Sequence, residues 1–233
     1  MQLNTDFTER TVLRPDERTW QPSPAAGVER QMLYRDGDEH ARATTLVRYQ
    51  PGSSFAGHVH DAGEEFLVLE GTFSDESGNF GAGTYVRNPP GSSHAPWTDE
   101  GTTIFVSLRQ FQSTDTERVV VDTNTAPWSP GLVAGLSVLP LHNHGSESVA
   151  LVRWAPGTRF NAHRHFGGEE ILVLEGSLSD EHGHYPAGTW LRSPHGSTHQ
   201  PWTDEGALIY VKVGHLPATF DRRINDETAA TTV

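Results

Sequence analysis

The chain of 233 residues contains no cysteine. That excludes disulfides and thiolate metal sites together, and it fits a reducing compartment. Positive charge is also scarce. Seventeen Lys and Arg stand against 30 Asp and Glu, a formal net charge of −13, so a phosphate backbone is a poor partner and nucleic-acid binding is not expected. Long apolar runs are missing as well. The longest, such as "FLVL" (Phe66–Leu69) and "ILVL" (Ile171–Leu174), are far too short to cross a bilayer. The start, "MQLNTDFTER", has early acids and no apolar core, unlike a secretory signal. These absences predict a soluble cytoplasmic protein with no membrane partner.

Sustained helical periodicity is the last thing lacking. In its place are 23 glycines and 15 prolines, which punctuate short segments rich in β-branched and aromatic residues: "TTLVRY", "EEFLVLEG", "GTYVRNP", "TTIFVSLRQF". Such segments read as strands. "SDESGNFGAG" reads as a hairpin turn, and "SDEHGHYPAG" is its copy. Many short strands at regular spacing predict an all-β barrel or sandwich.

The chain repeats itself. His58 and His163 are 163 − 58 = 105 residues apart, and Glu64/Glu169, Gly71/Gly176 and His94/His199 share that offset. Leu46–Leu108 aligns with Leu151–Val213 without a gap, and 36 of the 63 positions are identical. Upstream the offset is 108, as at Trp20 and Trp128, so three residues are lost between Gly135 and Leu151. "LPLHNHGSES" reads as the loop that absorbs the deletion. The boundary between copies falls near Ser113–Glu117, giving units 1–115 and 116–233. Residues from about Ala218 onward have no partner in the repeat and read as a strand end or frayed tail.

"GHVHDAGEE" places His58 and His60 on one side of a strand, because alternate residues face the same way. The "DAG" turn then leads to Glu64 at the start of a strand predicted to lie alongside. Glu65, of opposite parity, should face a partner cation or solvent. His94 arrives after a Pro-Gly turn. The second copy offers His163, His165, Glu169 and His199. Three imidazoles and a carboxylate suit a divalent first-row ion, with zinc or iron foremost and nickel or manganese admitted. Calcium and magnesium prefer all-oxygen shells. The set recurs intact, so one metal per copy is expected.

"GSSFAGHVHDAGEEFLVLEG" matches the first cupin motif, G(x)5HxH(x)3E(x)6G, at every fixed position. "GTYVRNPPGSSHAPWT" resembles the second, G(x)5PxG(x)2H(x)3N, with Thr98 in place of the final Asn. "GTRFNAHRHFGGEEILVLEG" and "GTWLRSPHGSTHQPWT" repeat both, with Thr203 at the same departure. The wording "EEFLVLEGTFSDE" followed by "NPPGSSHAPW" resembles the ChrR-type branch of cupins. That resemblance implies two tandem cupin (jelly-roll) β-barrels, each holding one metal through the residues named above. The branch takes its name from a zinc-binding anti-sigma factor. The helical His-x3-Cys-x2-Cys domain by which such factors grip their sigma factor has no counterpart here, so a sigma-factor partner is not expected. Related single cupins resemble iron-dependent dioxygenases that cleave diketones or hydroxyaryl ketones.

Two function classes follow. One is a binding or regulatory module whose metal responds to a small ligand or oxidant. The other is an Fe(II) dioxygenase breaking a C–C bond, with a metal-polarised isomerase or hydrolase behind both. Either implies a small-molecule partner, and jelly-roll edges make a homodimer an expectation. Arg48, Tyr85 and Trp97, with their equivalents Arg153, Trp190 and Trp202, are candidates to line the ligand pocket. The structural alternative for Arg48 and Arg153, and equally for the equivalent pair Arg87 and Arg192, is an ion pair with a carboxylate such as Glu65 or Glu170. His142, His144, His182, His184, His195 and His215 lack a following acid at the motif spacing and read as surface residues.

Overall fold

The computed structural model describes residues 1–217, so the tail expected from Ala218 lies outside the described residues. Among those described, the chain is strand throughout, with one 3-10 turn at Pro15–Glu17 and no α-helix. Among the described residues no helix is therefore long and apolar enough to cross a membrane.

Two large antiparallel sheets carry the architecture. In the first, the order is Gln2–Leu3, Val28–Asp36, Arg42–Tyr49, Thr102–Leu108, Glu64–Asp75, Thr84–Asn88 and Val119–Asp122. The second runs Ser129–Pro130, Leu136–His144, Glu147–Trp154, Ala207–Val213, Glu169–Asp180, Trp190–Ser193 and Thr11–Leu13. The last strand of each order comes from the other half of the chain. Val119–Asp122, from the second repeat, pairs with Thr84–Arg87, and Thr11–Leu13, from the first, pairs with Trp190–Arg192. The two repeats thus exchange arms. This exchange was not foreseen from the sequence.

Strand alternation explains how one sheet serves two cores. Along "EEFLVLEG", Phe66 and Val68 face the first barrel's interior with Tyr49, Phe73 and Ile104. Glu65 and Leu67 face the other way, into a shared core between the barrels. There Leu46, Leu67 and Phe105 meet their equivalents Leu151, Leu172 and Tyr210. The Phe105 and Tyr210 rings lie edge to face, 5.2 Å apart. Ile171, Val173, Trp154 and Ile209 fill the second barrel.

The hairpins fall where turn residues predict them, Glu64–Asp75 pairing with Gly78–Gly81 and Glu169–Asp180 with Gly183–Pro186. Gly71 shows why its motif position demands glycine. It has φ +68, and a Cβ there would meet the Gly101 carbonyl oxygen at 1.9 Å. "LPLHNH" is not a loop but part of the Leu136–His144 strand. The three missing residues come from the hairpin tip at Gly145 and Ser146, within the stretch expected to absorb the deletion. Residues 37–41 join the first barrel's strands, and only Gly145 and Ser146 join the second's.

Candidate metal centres

Each barrel brings three imidazoles and one carboxylate together. His58, His60, Glu64 and His94 form one cluster and His163, His165, Glu169 and His199 the other, with all donor atoms of a cluster within 4.8 Å of one another. His58–His60 pairs not with the glutamate's strand, as expected, but with Ser92–His94. The two form a separate ribbon in which His58 and His94 stand directly opposite. His163 and His199 repeat that register. Glu64 and Glu169 enter from the large sheets. Three of the four side chains in each cluster are buried, and His58 and His163 are half-buried.

The two centres match closely. The Nε2 atoms of His60 and His94 lie 3.5 and 3.6 Å from Glu64 Oε2. His165 and His199 stand at the same 3.5 and 3.6 Å from Glu169 Oε2. Those separations are too long for good hydrogen bonds. Donors that share one first-row ion, each about 2 Å from it, stand roughly 3 to 3.5 Å apart. The Nε2 atoms of His60, His94, His165 and His199, with Glu169 Oε2, are buried and have no hydrogen-bond partner. Orphaned donors of this kind are costly, and here they converge. The clusters can therefore hold metal, one ion in each barrel.

Electrostatics agree. Burial pushes the Glu169 carboxyl up to about 7, so without a cation it resists ionisation. Burial, with His199 and His163 close by, pushes His165 down to about 3. Burial lowers His60 and His163 too. Neutral imidazoles are the form that binds metal, and a divalent ion would supply the positive charge each cluster lacks.

Two residues behind the ligands escaped the sequence reading. His94 Nδ1 lies 3.2 Å from Asp75 Oδ2, and His199 Nδ1 lies 3.2 Å from Asp180 Oδ2. A carboxylate on the far nitrogen fixes the tautomer that leaves Nε2 free for metal. Asp180 is further held by Tyr185 and by Arg10 from the exchanged arm, at 2.7 and 2.6 Å. Burial works against its ionisation, but these bonds keep it well below the usual carboxylate range. The signal was present in "SDE", repeated at Asp75 and Asp180 with the ligands' own offset. His58 and His163 are oriented through Nδ1 by the Ala56 and Asn161 carbonyls, each at 2.9 Å.

A cavity opens beside each cluster. The first, about 320 Å³, is lined by all four ligands together with Tyr49, Phe55, Arg30 and Arg35. The second, about 170 Å³, is apolar around His163, Glu169 and His199, with Trp154 and Phe160 in its wall. None of the six pocket candidates lines either cavity. Arg48 and Arg153 stack on Trp20 and Trp128, 4.2 and 4.5 Å from the ring centres. Tyr85 and Trp190 are fully buried between the barrels. Each donates a 2.7 Å hydrogen bond, to Glu65 and Glu170 respectively. Trp97 bridges Ser54 and Ser74 through its backbone, and Trp202 bridges Arg159 and Ser179. Thr98 and Thr203, at the departure from the motif, serve turns: their hydroxyls accept from the Gly101 and Gly206 amides.

Glu65 does meet a partner cation, pairing with Arg87 and Lys212. Arg192 instead donates to the Asn4 and Asp6 carbonyls. Two of the six extra histidines are not on the surface. His142 is buried 2.9 Å from Asp115, and His215 is buried against Glu170 at 3.2 Å.

A family model described as the ChrR Cupin-like domain matches the chain twice, over residues 8–112 and 116–217. The chain belongs to that family across both repeats. No curated protein matches it in sequence. Among solved structures, a Nostoc punctiforme protein provisionally described as a dioxygenase is 16% identical, with a TM-score of 0.74 over 91% of this chain and 85% of that one. The Escherichia coli pirin YhhW, solved with nickel(II), is 14% identical with a TM-score of 0.68, over 91% of this chain and 100% of that one. Escherichia coli Ylba is 17% identical with a TM-score of 0.70, over 92% and 95%. At such identities the likeness is one of fold.

Proposed function

We propose that this bicupin of the ChrR cupin-like family holds one divalent transition metal in each barrel and uses the loaded sites to bind a small molecule, as a ligand- or redox-responsive binding protein. The observation that carries the reading is the convergence of unpartnered Nε2 atoms on the wall of a cavity. His58, His60, Glu64 and His94 would hold one ion, and His163, His165, Glu169 and His199 the other. A bound ion supplies Lewis acidity and open positions for a chelating ligand, and iron adds redox chemistry with dioxygen. The ligand set suits zinc or iron first, and nickel in the pirin neighbour keeps that ion in view. A cysteine-free chain fits a reducing interior, so we place the protein in the cytoplasm.

A second reading is an Fe(II) dioxygenase acting on a diketone or hydroxyaryl ketone. The larger first cavity favours it, since a substrate there would lie against all four ligands, as does the description of the Nostoc neighbour.

Elemental analysis of protein purified without added metal or chelator separates the two. Two zinc ions per chain and no oxygen uptake with diketones support the binding protein. Two iron ions per chain with oxygen uptake support the enzyme. A chain that takes up no transition metal overturns both.

A further inference from the structure

The two metal clusters are near copies, but the cavities beside them are not. Arg30 and Arg35 of the Val28–Asp36 strand line the first cavity, and Arg109 joins them. The position equivalent to Arg30 in the second barrel is Val138, which lines that cavity among other apolar side chains. Arg35 corresponds to Asn143, which does not line it. One barrel has kept, or gained, guanidinium groups where its twin has none.

Arg35 is 4% exposed, and among the described residues it has no carboxylate ion-pair partner. Its guanidinium donates to the Asp38 carbonyl. Burying a guanidinium without a counter-charge is costly. Burial, and then the like charge of Arg30, hold Arg35 below the usual guanidinium range although Glu39 and Asp38 pull the other way, so an anion beside Arg35 would relieve it. Arg30 forks onto Glu39, at 3.1 Å, and Arg109 pairs with Asp61. Those carboxylates are 60% and 61% exposed, and exposed pairs of this kind cost little to give up.

Arg109 carries a second mark. Its φ is +58, in the left-handed region, and its amide donates to the Gly63 carbonyl at 2.8 Å. The equivalent residue is Gly214, φ +75, whose amide donates to the Gly168 carbonyl. A Cβ at Gly214 would meet the Ser146 carbonyl oxygen at 1.9 Å. The same turn that forces glycine in one barrel bears an arginine in the other, at a backbone cost of about 1 kcal/mol. Backbone strain of this kind clusters at ligand sites, and Arg109 lines the cavity.

We propose that the first-barrel cavity is a carboxylate site: it takes a small organic acid whose carboxylate is gripped by Arg35 and Arg30, with Arg109 at the rim, while the second cavity takes an uncharged apolar molecule. The inference deepens the small-molecule reading above and rests on it. A planar guanidinium fork matches a carboxylate bidentately. Glu39 and Asp61, the partners of Arg30 and Arg109, also line the cavity, while Tyr49, Phe55, Phe73 and Ile104 give it an apolar wall that suits a compact hydrocarbon or aromatic body.

Benzoate and benzamide, alike in shape and different in charge, are the probes. Calorimetric titration of the full chain, metal-free and zinc-loaded, should show one benzoate bound per chain and a preference over benzamide of about tenfold or more, the worth of a charged hydrogen bond. Arg35→Leu should remove that preference while two zinc ions stay bound. Arg30→Val and Arg109→Gly, which copy the second barrel and need no refolding of the core, should each weaken benzoate several-fold. Equal affinity for the two probes overturns the proposal, and so does an unchanged benzoate affinity in all three variants. Benzoate selectivity in a chain that binds no metal would sink the metal reading and leave this one standing.

Discussion

Glu65 and Lys212, 147 residues apart in sequence, form an ion pair buried between the two barrels. Arg87 joins them from the first barrel's sheet, and Glu147 approaches Lys212 at 3.4 Å and Arg87 at 3.1 Å from the second's. Removing one member of such a group leaves buried charge uncompensated. Glu65→Gln is expected to destabilise the protein by about 3 kcal/mol, read from the midpoint and slope of urea unfolding. Glu147, and Asp115 beside Arg87, remain to soften the loss. A change below about 0.5 kcal/mol would show that the remaining carboxylates are enough to balance the buried cations.

The same pair sets a pH dependence. Burial opposes ionisation of Glu65, but Lys212 and Arg87 outweigh it and hold the carboxyl at about 2, against an ordinary value of 4.5. A carboxyl lowered on folding contributes stability that is fully present above the unfolded value and is lost as pH falls toward the folded one. Stability should therefore drop between about pH 4.5 and pH 2. In Glu65→Gln this part of the acid limb should flatten, and unfolding curves taken every half unit would show it.

Each set of metal ligands comes from a single repeat. His58→Ala with His60→Ala should halve the bound metal, from two ions to one per chain, and leave the second centre's content unchanged by elemental analysis. A fall to zero would mean that the centres are coupled.

Asp75→Asn and Asp180→Asn keep the shape behind His94 and His199 but change what the imidazoles can donate to. Each should weaken metal at its own centre by about 10- to 100-fold, measured by competition with a chromophoric chelator. Asp180→Asn should also lower thermal stability, because Arg10 and Tyr185 lose their carboxylate. Among the described residues the Asp75 carboxylate has only Ser77 and His94 as hydrogen-bond partners, so its variant should melt close to the parent.

Local features of the fold were legible in the sequence. The repeat, the hairpins and both ligand sets could be read because alternation and turn chemistry act over a few residues, and the 105-residue offset showed each motif twice. The strand exchange was not legible. Thr11–Leu13 and Val119–Asp122 are ordinary short strands, and nothing local says which sheet they will join. Tyr85 and Trp190 misled for a related reason. Both sheet faces are buried here, one in a barrel and one between barrels, so an aromatic residue does not reveal which core it serves. His142 and His215 read as surface residues because their partners, Asp115 and Glu170, are distant in sequence. Arg109 and Gly214 were missed for want of one position. They lie just beyond the gapless alignment, and their divergence has meaning only beside a backbone angle.

The exchanged arms bear on how such a chain could arise. One repeat standing alone would own a strand with no sheet of its own to complete, and its sheet would end where another copy's arm belongs. Two separate copies would satisfy each other only as a pair, and that pair would come apart on dilution. Joining them through the short segment between Leu108 and Val119 makes the encounter intramolecular, at an effective concentration that dilution cannot lower. Fusion also frees the two halves to evolve apart, because a change in one ligand cavity is no longer copied into the other.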